Sequence, residues 1–371
     1  MGQPRATAPK PQALQVHAGP LARAHLREHG LQPAHVGAIP AAAGGPKGLT
    51  LLPLDRFIFG HWLAGAGPAV HLLGASIGAW RMAAACMPQA DAALAQLAED
   101  YITQSYPHAP GRFPAPDVVS THLAQKLDQR LGAGVGQMLA HPRLRLHVFT
   151  SRGRGLLHRP GRMGLPLGWA GAFAANALSR SALSGFMQRV VFSDPRAPLP
   201  LPLAEFPTHR AVLGPHNLTQ AVLASCSIPF ALAPVHDVPG GPAGSYWDGG
   251  ITDYHLHLDY RPLWRPGQGG LVLYPHFVDH VVPGWLDKAW KRRHRATPAL
   301  DNLVLLSPSP EWVRSLPGGK LPDRQDFKSF MHDEPGRQRV WRQALAESRR
   351  LADEFAELVD GSRPIDALPL C

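Results

Sequence analysis

Two glycine-framed motifs near the amino end carry residue types suited to acyl transfer on a serine. Gly74-Ala75-Ser76-Ile77-Gly78 is a Gly-x-Ser-x-Gly pattern, and Gly44-Gly45-Pro46-Lys47-Gly48 is a glycine-rich turn. Ser76 follows an apolar run and precedes a helix-forming one, the setting in which a sharp strand-to-helix turn lifts a hydroxyl clear of a sheet. Gly74 and Gly78 would let strand and helix pass closely. A hydroxyl is a poor nucleophile until a base takes its proton, and the tetrahedral intermediate needs oxyanion donors. The first motif can supply the donors, because glycines let backbone N–H groups approach a ligand and the following helix aims its positive end there. Pro46 has no N–H, so Gly44, Gly45 and Lys47 are the candidate donors, with Gly48 completing the turn. A phosphate loop fits less well, since the Gly-x-x-x-x-Gly-Lys-Ser/Thr spacing is absent. A plain helix start and a glycine turn that happens to hold a serine are the bland readings of the two motifs.

Spacing leaves the base open. An ordinary triad puts an acid and then a histidine after the serine, and His255, His257, His276, His280 and His332 all lie downstream. The chain holds 20 histidines, so a downstream position decides nothing. A carboxylate acting directly on the serine is the other choice. Asp248 follows Tyr246-Trp247 and precedes Gly249-Gly250, where a strand would deliver it into a site, although Asp-Gly also builds ordinary turns.

The glycine turn, the serine elbow and Asp248-Gly249-Gly250, in that order, resemble the patatin-like phospholipases. Ala224-Ser225-Cys226-Ser227-Ile228-Pro229-Phe230 is similar to the Ala-Ser and proline region that precedes the aspartate there. The resemblance covers residues 35–255, with the C-terminal third outside it, and Ala43 stands where the family's run often has another glycine. It implies an α/β fold with a three-layer, mostly parallel sheet flanked by helices on both faces. It also implies a Ser76–Asp248 dyad with Gly44 and Gly45 amides in the oxyanion hole, Lys47 at the loop's basic position, a lipid or other acyl-ester substrate, and no metal or cofactor. Two alternatives stand beside it: an α/β-hydrolase with a Ser-Asp-His triad, which would use the same serine elbow, and a catalytically inactive membrane-binding or scaffold protein.

Positioning these residues requires buried strands. His35 to Ala42 and Ala69 to Ala75 read as strands, each delivering one motif, with helices from Lys47 to Leu63 and Gly78 to Met87. Helices are also expected over 21–29, 90–106, 122–131, 218–226 and 337–359, and strands over 144–151, 246–247, 271–274 and 302–306. Leu165 to Leu178 is uncharged and apolar, either a core helix or an apolar lip beside the site. Residues 1–20, rich in Pro and Ala, read as a disordered arm. Residues 21–371 read as one domain, with a helical extension from about residue 280.

At 371 residues with 45% hydrophobic composition the chain can bury a large core, which excludes a disordered or collagen-like protein. Cys86, Cys226 and Cys371 form no CxxC pair, so neither a disulfide framework nor a structural zinc site is expected. The net charge of +10 favours anionic partners. Within 282–298, read as a short basic helix, Trp285, Leu286, Ala289 and Trp290 would share a face while Lys288, Lys291, Arg292 and Arg295 lie on others. That suits peripheral contact with an anionic membrane, and no nucleic-acid motif accompanies it. The uncharged run from Phe57 to Trp80 is interrupted by five glycines and Pro68, which suits a buried core better than a membrane span. The start lacks an apolar signal region, giving a cytoplasmic expectation.

Overall fold

Runs such as Val36–Ala41 and Leu271–Pro275 hold no charged side chain, and strands of that kind belong where both faces of a sheet are covered. In the computed structural model, which describes residues 11–109 and 111–370, they lie at the centre of one sheet. Its strands are β1 (Leu14–Ala18), β2 (Val36–Ala41), β3 (Val70–Ala75), β4 (Leu144–Gly153), β5 (Met187–Ser193), β6 (Thr208–Val212), β7 (Val235–His236), β8 (Ser245–Trp247), β9 (Leu271–Pro275), β10 (Leu303–Pro308) and β11 (Leu368–Pro369). The order is β11-β1-β10-β9-β2-β3-β4-β5-β6, with β8 pairing β4 and β7 off that path. From β10 through β9, β2 and β3 to β4 every neighbour is parallel. Antiparallel pairs enter at β1–β10, β4–β5, β4–β8 and β7–β8. This is a mostly parallel, mixed sheet flanked by helices, an α/β fold.

The helices used below are α1 (Pro20–His29), α2 (Leu52–Phe57), α3 (Ile77–Ala85), α4 (Ala90–Ile102), α5 (Pro116–Leu131), α6 (Val135–Leu139), α7 (Gly164–Leu178), α8 (Leu218–Cys226), α9 (Gly250–Asp253), α10 (Pro310–Ser315), α11 (Gln325–Ser329), α12 (Glu334–Glu347) and α13 (Arg349–Val359). All nine residues of α3 are buried. The uncharged run from Phe57 to Trp80 thus supplies a core strand and the start of a core helix. Among the described residues no helix is long and apolar enough to cross a membrane.

Several elements differ from the sequence reading, each for a local reason. β1 falls within the segment expected as an arm: Leu14, Val16 and Ala18 are buried against β10, and the Ala13 and Leu14 N–H groups donate to the Glu354 carboxylate at 2.8 and 2.9 Å. Residues 1–10 of that arm lie outside the described residues. The region after residue 280 is not simply a helical extension, because β10 sits between β1 and β9. The helix expected over 47–63 is a 3-10 segment (Gly45–Leu51), then α2, then a π turn (Ile58–Trp62); Pro53 has no N–H to give and so can enter an α-helix only in its first turn. The long C-terminal helix divides into α12 and α13 at Ser348, whose hydroxyl bonds back to Ala344 O at 2.7 Å, a contact that bends helices. The basic helix expected over 282–298 is instead two short 3-10 turns, Trp285–Asp287 and Lys291–Arg293. There the chain wraps around buried Asp287, which accepts from Asn176, Arg180 and Arg293. The two readings of 165–178 both apply to α7: Trp169 and Ala172 are buried, while Leu167, Phe173 and Leu178 face outward.

Candidate active site

β3 ends at Ala75 and α3 begins at Ile77, leaving Ser76 alone to turn the chain. Its backbone takes φ 58° and ψ −130°, a region that a side chain rarely enters, and such strain persists only where the surroundings hold it. The flanking glycines allow the turn. A Cβ on Gly78 would come within 2.0 Å of Ala41 O, and one on Gly74 within 2.4 Å of the Ala79 Cα. Ser225, from α8, clamps the turn: its hydroxyl donates to Phe149 O at 2.7 Å and accepts from the Ser76 N–H at 2.9 Å.

Asp248 comes from the end of β8. Its N–H bonds to Ser227 O, and the Gly249 N–H bonds to Ser225 O, so α8 and the aspartate turn are stitched together. Gly249 must lack a side chain, since a Cβ there would lie 2.0 Å from Phe149 O. One carboxylate oxygen of Asp248 accepts from the Gly250 N–H at 2.7 Å, and the other accepts from the Ser76 hydroxyl at 2.6 Å. Downstream, α9 is anchored by Arg189 of β5, which grips Asp253 at 2.6 and 2.7 Å. Burial pushes the Asp248 carboxyl above the usual carboxylate range, opposed by the Ser76 hydrogen bond and by the Arg324 charge.

The glycine turn lies beside the serine elbow. A Cβ on Gly44 would meet the Phe277 ring at 2.5 Å, and Gly45 has φ +58°. Neither amide N–H of these two glycines has a hydrogen-bond acceptor among the described residues. The Gly48 site packs on Ile77 and Arg81. Lys47 does not reach Asp248 by any hydrogen bond; its ammonium lies 5.4 Å from the centre of the Phe277 ring, and burial lowers its pKa.

Ser76, Gly45 and Arg324 border a cavity of about 500 Å³, whose wall includes Ile77, Trp80, Phe230, Phe327 and Met331. Asp248 and Arg324 also border a smaller recess with Tyr254 and Trp285. Arg324 is a cavity residue that sequence reasoning missed, and no local pattern announced it. Its Nε would lie 3.1 Å from a Cβ on Gly45, and its side chain has no hydrogen-bond or ion-pair partner among the described residues. Ser225 lay within the quoted Ala224–Phe230 stretch, but its bridging role needed the fold. Cys226 lines the cavity with its thiol held protonated by burial.

None of the five candidate histidines joins this site; among the described residues the histidine that borders the cavity is His108. No histidine is hydrogen-bonded to Ser76 or Asp248 among the described residues. His255 is buried, accepts from the Val282 N–H at 3.0 Å, and is kept neutral by burial. His276 is likewise buried, with its pKa lowered to about 3, and His280 pairs with Asp279. Neither His257 nor His332 borders the cavity. Among the described residues no group of three His, Cys, Asp or Glu side chains is arranged to hold a metal ion.

The fold and this pocket define an α/β protein that presents a serine hydroxyl to a buried carboxylate at the wall of an apolar cavity. The family model for patatin-like phospholipases matches residues 62–255, more than half of the chain, and the chain belongs to that family. The matched span contains Ser76 and Asp248 and leaves out both the glycine turn and Arg324. The crystal structure of VipD from Legionella pneumophila is similar across 97% of this chain and 72% of its own, at 12% identity and a TM-score of 0.39. No curated protein sequence matches.

Proposed function

We propose that this chain is a serine acyl hydrolase that cleaves carboxylic-ester bonds of lipids through an acyl-enzyme on Ser76, with Asp248 as general base. The observation that carries this reading is the 2.6 Å contact from the Ser76 hydroxyl to Asp248, which lies within the range direct proton transfer needs. Asp248 takes the hydroxyl proton as Oγ attacks the ester carbonyl. The Gly44 and Gly45 N–H groups, with the Lys47 amide as a third donor, stabilise the oxyanion. Collapse of the intermediate expels the alcohol, which leaves with the proton from Asp248. Water then attacks the acyl-enzyme with Asp248 again as base, releasing the fatty acid. Burial suits the aspartate to this work, because a carboxylate with a raised pKa accepts a proton more readily. The apolar cavity wall suits an acyl chain, which would be removed from water on binding.

The test is Ser76→Ala. Ester hydrolysis is expected to fall by at least about a thousandfold with the fold intact by circular dichroism, and fluorophosphonate labelling of the protein should disappear with it. A folded Ser76→Ala protein that still hydrolyses esters at a substantial rate overturns the reading.

A further inference from the structure

α7 is apolar all round, with no charged side chain on either face, although one face of it meets solvent. Pro166, Leu167, Ala170, Phe173, Ala174 and Leu178 recur at three- and four-residue intervals and all face outward. Leu178 is 85% exposed, Leu167 57% and Phe173 52%, and Met163 just ahead of the helix is 77% exposed. The opposite face is fixed to the body of the protein: Trp169 stands edge-on to Trp247, the residue before Asp248, at a ring separation of 5.6 Å.

Basic residues bracket this apolar face. Arg162 is exposed just ahead of its amino end, and exposed Arg154 donates to Ser184 O at 2.7 Å. At its carboxyl end Arg293 donates to the carbonyls of Asn176 and Ala177, which ties the 288–295 segment, with exposed Lys291, Arg292 and Arg295, to the end of the helix. No acidic residue occurs between 151 and 193 or between 288 and 300. The face also lies on the site's side of the sheet. β3 and β4 are parallel neighbours, Ser76 leaves the carboxyl end of β3, and α7 follows the carboxyl end of β4.

We infer that α7 docks this protein onto an anionic lipid bilayer, its apolar face in the interface and the flanking Arg and Lys side chains among the headgroups. A helix of fifteen residues with no charge is too short to span the hydrocarbon and long enough to lie in the interface plane. Charge complementarity selects the occupant: cations at both ends fit a surface of negative headgroups, and each would add attraction that salt screens. The inference uses the proposed lipid substrate only to explain why docking is useful, and binding can be read without any turnover.

The experiment is flotation of the full chain with phosphatidylcholine–phosphatidylglycerol vesicles and, in parallel, with phosphatidylcholine alone, together with sedimentation velocity in the absence of lipid. The wild type should float with the anionic vesicles and largely lose binding in high salt. Leu167→Asp/Phe173→Asp should weaken binding roughly tenfold or more, and Arg154→Gln/Arg162→Gln should reduce it on anionic vesicles alone. Both double variants change exposed positions, so each should keep the wild-type circular dichroism spectrum and, if the chain is active, its rate on a short soluble ester. Equal vesicle binding by wild type and Leu167→Asp/Phe173→Asp overturns the inference. So does a wild-type dimer that this variant makes monomeric while neither binds vesicles, because the face would then belong to a second copy. Loss of hydrolysis with retained vesicle binding would instead count against the proposed chemistry alone.

Discussion

At the scale of single residues, Asp248 divides its two oxygens between the Ser76 hydroxyl and the Gly250 N–H. Burial holds its carboxyl above the ordinary value of about 4. A base must be ionised to act, so kcat/KM is expected to rise with pH through a pKa above that of an ordinary aspartate; an ascending limb at or below about 4 would assign the ionisation to a different group. The same shift acts against stability. A folded-state pKa raised above the unfolded one means the folded chain keeps its proton longer, so stability is lost as pH rises through the interval between the two. Asp248→Asn removes that cost. At neutral pH it should melt no lower than wild type while turnover falls by at least about a thousandfold; a large drop in melting temperature would mark the carboxylate as structural. Arg324 offers a cation beside Gly45 that has no partner among the described residues. Charge-assisted contacts contribute about 1.5–3 kcal/mol, so Arg324→Gln should raise KM about tenfold for anionic lipids and leave KM for neutral esters nearly unchanged. An equal effect on both substrate types would remove it from headgroup recognition.

At the scale of elements, the site depends on how α2, α3 and the glycine turn are locked together. Arg81 of α3 makes two hydrogen bonds to Asp55 of α2, at 2.7 and 2.9 Å, and both side chains are fully buried. Removing one member of such a pair leaves an uncompensated charge in the core. Asp55→Ala is therefore expected to cost about 3–5 kcal/mol, read as a shift of the urea midpoint at constant m-value. The strained serine turn depends on Gly78, where a methyl would collide with Ala41 O at 2.0 Å. Sequence carried these positions unevenly. Gly74, Ser76, Gly78 and the Asp-Gly-Gly turn were legible because close strand–helix passage and a turn each demand particular residue types at fixed spacing. The Asp55–Arg81 pair was not, because nothing at a separation of twenty-six residues distinguishes a buried ion pair from two surface charges.

For the whole molecule, the C-terminal part completes both the sheet and the pocket. β10 lies between β1 and β9, and Phe327 and Met331 line the cavity with Arg324. We propose that the described chain from β1 to β11 folds as one cooperative unit. Truncation after residue 280 removes β10 and exposes the buried edges of β1 and β9, so the product should lack a cooperative thermal transition by calorimetry. A truncated protein that melts cooperatively and binds fluorophosphonate would show that the family-matched region stands alone.

The sequence by itself determined the local chemistry and its immediate scaffold: a serine between two glycines, a glycine turn upstream, an Asp-Gly-Gly turn downstream, and apolar runs of strand length that deliver them. These are short-range facts, governed by which residues tolerate a tight turn, a buried strand or a close backbone approach. Tertiary structure alone decided the long-range ones. It set Asp248 rather than a histidine against Ser76 across 172 residues, brought Arg324 to the glycine turn, and took Leu14–Ala18 into the sheet. It also turned the apolar face of α7 outward. Each depends on which surfaces meet when the chain closes, and apolar periodicity records that a face is apolar without recording what covers it.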